Sequence, residues 1–217
     1  LANEWTQLLG TSSLDYGNSI STADDGSVYI TGQTSGHLDG QTNSGGGDAF
    51  VSKFDSDGSK QWTQLLGTSS DDEGYSISTS DDGSVYITGT TYGDLDGQTN
   101  SGGGADAFVS KFDSDGSKQW TQLLGTSSYD YGNSISTSDD GSIYITGFTF
   151  GDLDGQIHSG NGDVFISKFN SDGSKQWTQL LGSSEDDIGY SISTADDGSI
   201  YITGSTYGDL DGQTNSG

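Results

Sequence analysis

The sequence predicts an all-β repeat protein built of four-stranded antiparallel units, and three observations carry that prediction. The string Trp-Thr-Gln-Leu-Leu-Gly begins at Trp5, Trp62, Trp120 and Trp177, at intervals of 57, 58 and 57 residues, with nearly the same text between the copies. Repeats of this length are supersecondary units that bury their apolar residues by stacking on one another. Inside each copy apolar and polar residues alternate with a period of two, the mark of strands, and no segment shows the helical period. Asp-Gly turn signals then divide the alternating runs into pairs, because glycine supplies the positive φ that tight hairpins require.

The second copy shows the elements in order. Strands are expected at Gly74 to Ser80, Ser84 to Thr90, Asp106 to Asp113 and Lys118 to Gly125, each of ordinary strand length. Asp81-Asp82-Gly83 joins the first two, and Asp113-Ser114-Asp115-Gly116 joins the last two. A polar, glycine-rich loop from Tyr92 to Ala105 lies between the pairs. The third strand carries Phe108 and Phe112 on one side and Ala107 and Val109 on the other, so both of its faces can be buried. Sheets sandwiched between neighbours need that pattern, which points to a β-propeller-like array of four-stranded antiparallel blades. A β-solenoid is the alternative, since 57 residues also make three rungs, but the paired turns and Trp blocks favour hairpins.

The whole of residues 1–217 reads as a single repeat region, with copies starting near 5, 62, 120 and 177. The last copy is incomplete: Gly217 falls in the loop before a third strand, whereas a fourth-strand motif opens the sequence at Trp5. The expectation is that the chain continues, or that paired chains share blades.

The string Asp81 to Gly89 (Asp-Asp-Gly-Ser-Val-Tyr-Ile-Thr-Gly), followed by Asp106 to Gly116 (Asp-Ala-Phe-Val-Ser-Lys-Phe-Asp-Ser-Asp-Gly) and Trp120, resembles the bacterial SBBP β-propeller repeat. The resemblance covers essentially the whole chain. It implies four-stranded blades and a secreted or surface protein, and it supplies no catalytic residues.

Composition narrows the function. With 32 acidic against 6 basic side chains, no arginine and a net charge of −26, the surface repels nucleic acid and anionic membranes. No apolar run approaches the ~20 residues of a spanning helix, so membrane insertion is not expected. Apolar residues make up only 28% of the chain, which leans toward disorder, yet they recur at fixed places in every copy, so a folded protein with a thin core is expected. Cysteine is absent, so neither disulfides nor thiolate metal sites can staple the fold. An acidic, cysteine-free chain rich in Gly, Ser, Thr, Asn and Asp suits the bacterial cell surface or the extracellular space.

The copies differ mainly in two places. One follows the Trp motif, at Leu14-Asp15-Tyr16, Asp71-Asp72-Glu73, Tyr129-Asp130-Tyr131 and Glu185 to Ile188. The other is the long loop, at Gln33 to His37, Phe148 to Phe150 and Ile157-His158. In a meander these two connections emerge at the same end of the blades. Tyr16, Tyr92, Tyr129, Tyr131, Phe148, Phe150 and Tyr207 are therefore candidates for a contact face, against the plain reading of drift in tolerant loops.

Calcium is the candidate ligand. Asp94, Asp96 and Asn100 place oxygen donors around a glycine turn, and Asp209, Asp211 and Asn215 repeat the set. His37 replaces the first donor in one copy and His158 the last in another, and the distal Glu of an EF-hand is missing, so solvated turns compete with this reading. No catalytic residues are assigned. The two histidines occupy non-equivalent places, there is no Gly-x-Ser-x-Gly elbow, and the paired Asp24-Asp25 sits in an exposed hairpin turn.

These readings lead to a non-enzymatic extracellular structural or adhesive repeat protein, part of a surface layer, sheath or filament formed by self-association. Its partners would be other copies of itself and a polysaccharide. The alternative is a lectin-like propeller module that binds carbohydrate or calcium.

Overall fold

The computed structural model describes residues 5–216 as fourteen strands and no helix among those residues. Blade one comprises β1 (Asp15–Thr22), β2 (Val28–Thr34), β3 (Asp48–Phe54) and β4 (Lys60–Leu66). Blade two comprises β5 (Asp72–Thr79), β6 (Val85–Thr91), β7 (Asp106–Phe112) and β8 (Lys118–Leu124). Blade three comprises β9 (Asp130–Thr137), β10 (Ile143–Thr149), β11 (Asp163–Phe169) and β12 (Lys175–Leu181). Blade four holds β13 (Asp187–Thr194) and β14 (Ile200–Thr206). Each sheet is an antiparallel meander in sequence order.

The third and fourth strands begin where the sequence places them. The first strand starts two residues earlier than expected, at Asp72 rather than Gly74, because Asp72 and Glu73 pair with Thr91 and Thr90. A bulge between Gly74 and Ser76 absorbs the mismatch and was not foreseen. Blades one, three and four repeat a register shift at the same place. A bulge lets the strand gain a residue and bend without losing its inward set.

The core lies between blades rather than inside them. One cluster joins Tyr29, Val51 and Leu66 of blade one to Ile77, Val85, Ile87, Phe108 and Phe112 of blade two. A second joins Tyr86, Val109 and Leu124 of blade two to Ile135, Ile143, Ile145, Phe165 and Phe169 of blade three. The first strand of each blade packs on the sheet before it, which is why Ile77, Ile135 and Ile192 are each 5% exposed while Ile20, with no sheet before it, is 65% exposed. At the other end, Tyr201 is 63% exposed although Tyr29 and Tyr86 are both 1% exposed.

Two polar seams accompany the apolar contact. Along the first strands, hydroxyl pairs run from blade to blade: Ser21 to Thr79 at 3.0 Å, Ser78 to Thr137 at 2.9 Å and Ser136 to Thr194 at 3.0 Å. On the outer side, the indole N–H of Trp5, Trp62 and Trp120 donates to the carbonyls of Ser56, Ser114 and Ser171, at 3.1, 3.0 and 3.1 Å. Each of these carbonyls lies in the hairpin between the third and fourth strands of a blade, so the Trp of blades one and two latches the following blade. Trp5 belongs to no strand, yet it stacks on Phe54 and makes the same latch, so the first Trp motif acts as the fourth strand of a preceding blade would. Each Trp within a blade also tilts against a Tyr, with centroids 5.9 Å apart for Tyr29 and Trp62, and Lys53 stands 5.3 Å over that Tyr ring.

The equivalent isoleucines give an internal control. Ile77→Ala leaves a cavity in the joint between blades one and two and should cost about 2–5 kcal/mol. Ile20→Ala, at an exposed face, should shift the urea midpoint hardly at all. Equal losses in urea denaturation would show that the core is not between the blades.

Candidate functional site: the loop end of the blades

The connection after the Trp motif and the long loop meet at one end of each blade, as the meander requires. Tyr92 donates its backbone N–H to Asp71 O at 3.1 Å, Phe150 to Tyr129 O at 3.0 Å and Tyr207 to Asp186 O at 3.1 Å. The long loop also reaches the following blade, where Gly46 donates to Ser70 O at 3.3 Å and Asp72 to Gly47 O at 2.6 Å.

Five of the seven predicted contact aromatics come together. Tyr131 stacks on Tyr129, with centroids 6.2 Å apart and planes at 7°, and on Phe148, at 4.7 Å and 18°. Phe150 meets Phe148 edge to face at 5.5 Å. The hydroxyl of Tyr92, from blade two, lies 3.5 Å from that of Tyr131. Tyr131 and Phe148 face each other across β9 and β10, the cross-strand arrangement in which aromatic pairs reinforce a sheet. Gly147, beside Phe148, is required here, since a Cβ would run into the carbonyl of Tyr131 and the ring of Phe165. Tyr16 and Tyr207 are exposed on blades one and four, apart from this cluster.

The predicted calcium donors hold the loop in shape. Asp96 sits at φ 52 and Gly97 at φ 75 in a tight turn closed by the Leu95–Gln98 bridge. The Asp96 carboxylate takes the ammonium of Lys118 on one oxygen and the hydroxyl of Thr121 on the other. Asp94 accepts the backbone N–H of Asn100 at 2.9 Å, while Asn100 accepts from Gly102 at 2.9 Å. Asp209 and Asn215 repeat the first contact at 2.8 Å, and Asp211 has the same left-handed φ as Asp96. In blade one the ring of His37 accepts the N–H of Asn43 at 3.0 Å, so His37 does the hydrogen-bonding work of Asp94. In blade three His158 donates its backbone N–H to Asp152 at 3.1 Å. Among the described residues, no three Asp, Glu or His side chains are grouped to hold a metal ion.

The structure also shows a set of carboxylates that the sequence reading passed over. Asp48, Asp72, Asp106, Asp130, Asp163 and Asp187 are all buried at the blade joints. Burial pushes Asp130 up to about 6, with the charge of Asp106 adding to the rise, although hydrogen bonds from Thr149 and Thr126 oppose it. Burial likewise raises Asp72, next to Asp48, and raises Asp48, Asp106 and Asp163. One oxygen of Asp48, Asp106 and Asp163 has no hydrogen-bond partner, an arrangement that disfavours the charged form. One signal was available: Asp15, Asp72, Asp130 and Asp187 are constant in the middle of the most variable stretch of the repeat.

Three four-stranded blades and a two-stranded fourth of the same pattern, with apolar cores shared across the joints of the first three, define a β-propeller-type repeat protein. The chain belongs to the SBBP β-propeller repeat family, whose pattern matches residues 4–39, 61–96, 119–154 and 176–211. It is also similar to the regulatory protein FlaEY of Caulobacter vibrioides, 32% identical over 186 residues. That match covers 76% of this chain and 20% of the relative, so the chain spans about a fifth of that protein's length. A protein of unknown function from Bacteroides caccae superimposes with a TM-score of 0.46 at 9% identity, over 87% of this chain and 53% of the other.

The buried carboxylates set a pH dependence. Asp130 binds its proton more tightly in the fold than in the unfolded chain, where the ordinary value is 3.8. Its contribution to stability is therefore present in full below about 3.8 and is lost as pH rises toward about 6. Exposed turn carboxylates act oppositely. Asp140 is held down at about 2 by Ser138 and Ser142, so its contribution is lost only as pH falls below 3.8. Stability should peak at about pH 4 and decline toward pH 6, and Asp130→Asn should flatten that decline in thermal melts. Stability that rises steadily from pH 4 to 7 would contradict this assignment.

Proposed function

We propose that this chain is a non-enzymatic structural or adhesive repeat protein of the bacterial cell surface, which assembles by stacking blades of one copy on blades of another. The observation that carries the reading is the repeated joint, in which the Tyr face of one blade meets the unlike, complementary Ile face of the next. Blade one presents Ile20, whose counterparts Ile77, Ile135 and Ile192 are buried against a preceding sheet. Blade four presents Tyr201, whose counterparts Tyr29 and Tyr86 are buried under a following blade. Contact between such faces is head to tail, so it propagates rather than stopping at a symmetric dimer.

Charge opposes this contact. At −26 per chain, copies repel each other at low salt, and assembly depends on screening or on divalent cations. Calcium enters the proposal in that role, as a divalent cation screening the charge between acidic copies, while Asp94, Asp96, Asn100, Asp209, Asp211 and Asn215 stay committed to the shape of their loops.

Two charge-altered variants test the head-to-tail geometry by sedimentation. Ile20→Glu and Tyr201→Glu should each be monomeric, because each loses one face. Mixed together they should form a dimer through the two faces left intact. Wild-type chains should form larger species as salt or calcium is raised. Monomeric wild-type chain under all salt conditions would sink the reading, and assembly indifferent to EDTA would remove calcium from it.

A further inference from the structure

The near identity of the blades makes each one a control for the others, and blade three is the exception. At the position of Tyr129 the other blades have Leu14, Asp71 and Asp186; at that of Tyr131 they have Tyr16, Glu73 and Ile188. At the position of Phe148 they have Gln33, Thr90 and Ser205, and at that of Phe150 they have Ser35, Tyr92 and Tyr207. Only blade three is aromatic at all four. The fold does not need this, since the other blades reach the same backbone pairing with small or charged residues there.

The cluster is open and acidic at its border. Tyr92, Tyr129 and Phe150 are 40, 45 and 38% exposed. Glu73 of blade two lies beside Tyr75, which donates to it, and close enough to Tyr92 to act on its hydroxyl. The hydroxyls of Tyr92 and Tyr131 face each other at the same edge. All six lysines are engaged elsewhere: Lys53, Lys111 and Lys168 over Tyr29, Tyr86 and Tyr144, and Lys60, Lys118 and Lys175 on Asp39, Asp96 and Asp154.

We propose that this patch is a binding site for the lysine side chain of a basic partner segment. The rings take the apolar stem, while Glu73 and the phenol oxygens of Tyr92 and Tyr131 accept the ammonium N–H groups. Aromatic faces attract cations, and charge complementarity favours a basic partner for a chain of net charge −26. The chain already uses the same chemistry internally, where each Lys over a Tyr ring stands 5.3 Å from its centroid.

Hexalysine is the probe, titrated calorimetrically into the full chain at physiological ionic strength. A polycation binds any acidic protein to some degree, so the deciding variants leave the charge unchanged. Tyr131→Ile and Phe148→Thr place in blade three residues that blades four and two carry there, so the backbone tolerates them. Together they should weaken hexalysine binding about ten-fold, whereas Tyr16→Ser on blade one should leave it unchanged. Each single variant serves if the pair fails to fold. Equal affinity for all variants would overturn the site in favour of diffuse charge. Binding of uncharged cellohexaose that depends on Tyr131, without aromatic-dependent binding of hexalysine, would overturn it in favour of a sugar platform.

Discussion

Everything in this structure depends on the fact that a blade cannot bury its own core. A four-stranded sheet offers two faces, and the third strand of each four-stranded blade is almost wholly buried on both. The apolar clusters accordingly cross the joints, taking Tyr29 from one blade and Ile77 from the next. Stability in such an array is a sum over joints. The Trp latch and the hydroxyl seam fix how far each blade rotates on its neighbour, because both are directional and the apolar contact is not. The exposed Ile20 and Tyr201 are the same constraint seen where no sheet covers the face.

The fold was largely legible because its determinants are local and repeated. Asp-Gly at Asp82-Gly83 and Asp115-Gly116 marks hairpins by backbone geometry alone, and Phe108 with Val109 shows a two-faced strand. The bulge after Gly74 was not legible, because it leaves the alternation nearly intact and shows only in the pairing. The loop donors were legible as oxygens but not as to what they hold. Asp96 faces Lys118, which lies 22 residues further along the chain. Asp94 and His37 look chemically unlike until both are seen accepting a loop N–H.

The aromatic cluster shows a third kind of limit. The sequence identifies the variable positions but not which of them meet. Tyr131 and Phe148 are brought together by strand register, and Tyr92 joins them only because blade two packs against blade three. Tyr16 and Tyr207 occupy equivalent variable positions but have no aromatic partners across the sheet: Tyr16 pairs with Gln33, and Tyr207 lies just beyond β14. A repeat scaffold thus separates two tasks. Constant residues set the joints, and a few variable ones on a single blade give a periodic object one distinguishable place.

Electrostatics ties these tasks together. Most carboxylates of this acidic chain face water in turns, where Ser hydroxyls and backbone N–H groups hold values such as that of Asp140 low. Those at the joints are shielded from water, and burial drives Asp72, Asp106 and Asp130 upward. The joints therefore tighten on mild acidification, just as the net charge that keeps separate copies apart begins to fall. Asp130 lies between Tyr129 and Tyr131 in the chain, so one of the joints that responds to protons adjoins the aromatic patch. Protonation there removes a negative charge from the residue that joins Tyr129 to Tyr131 in the chain. It would strengthen the joint while weakening the attraction of the patch for a cation, and the two effects of acid on this molecule would then run in opposite directions.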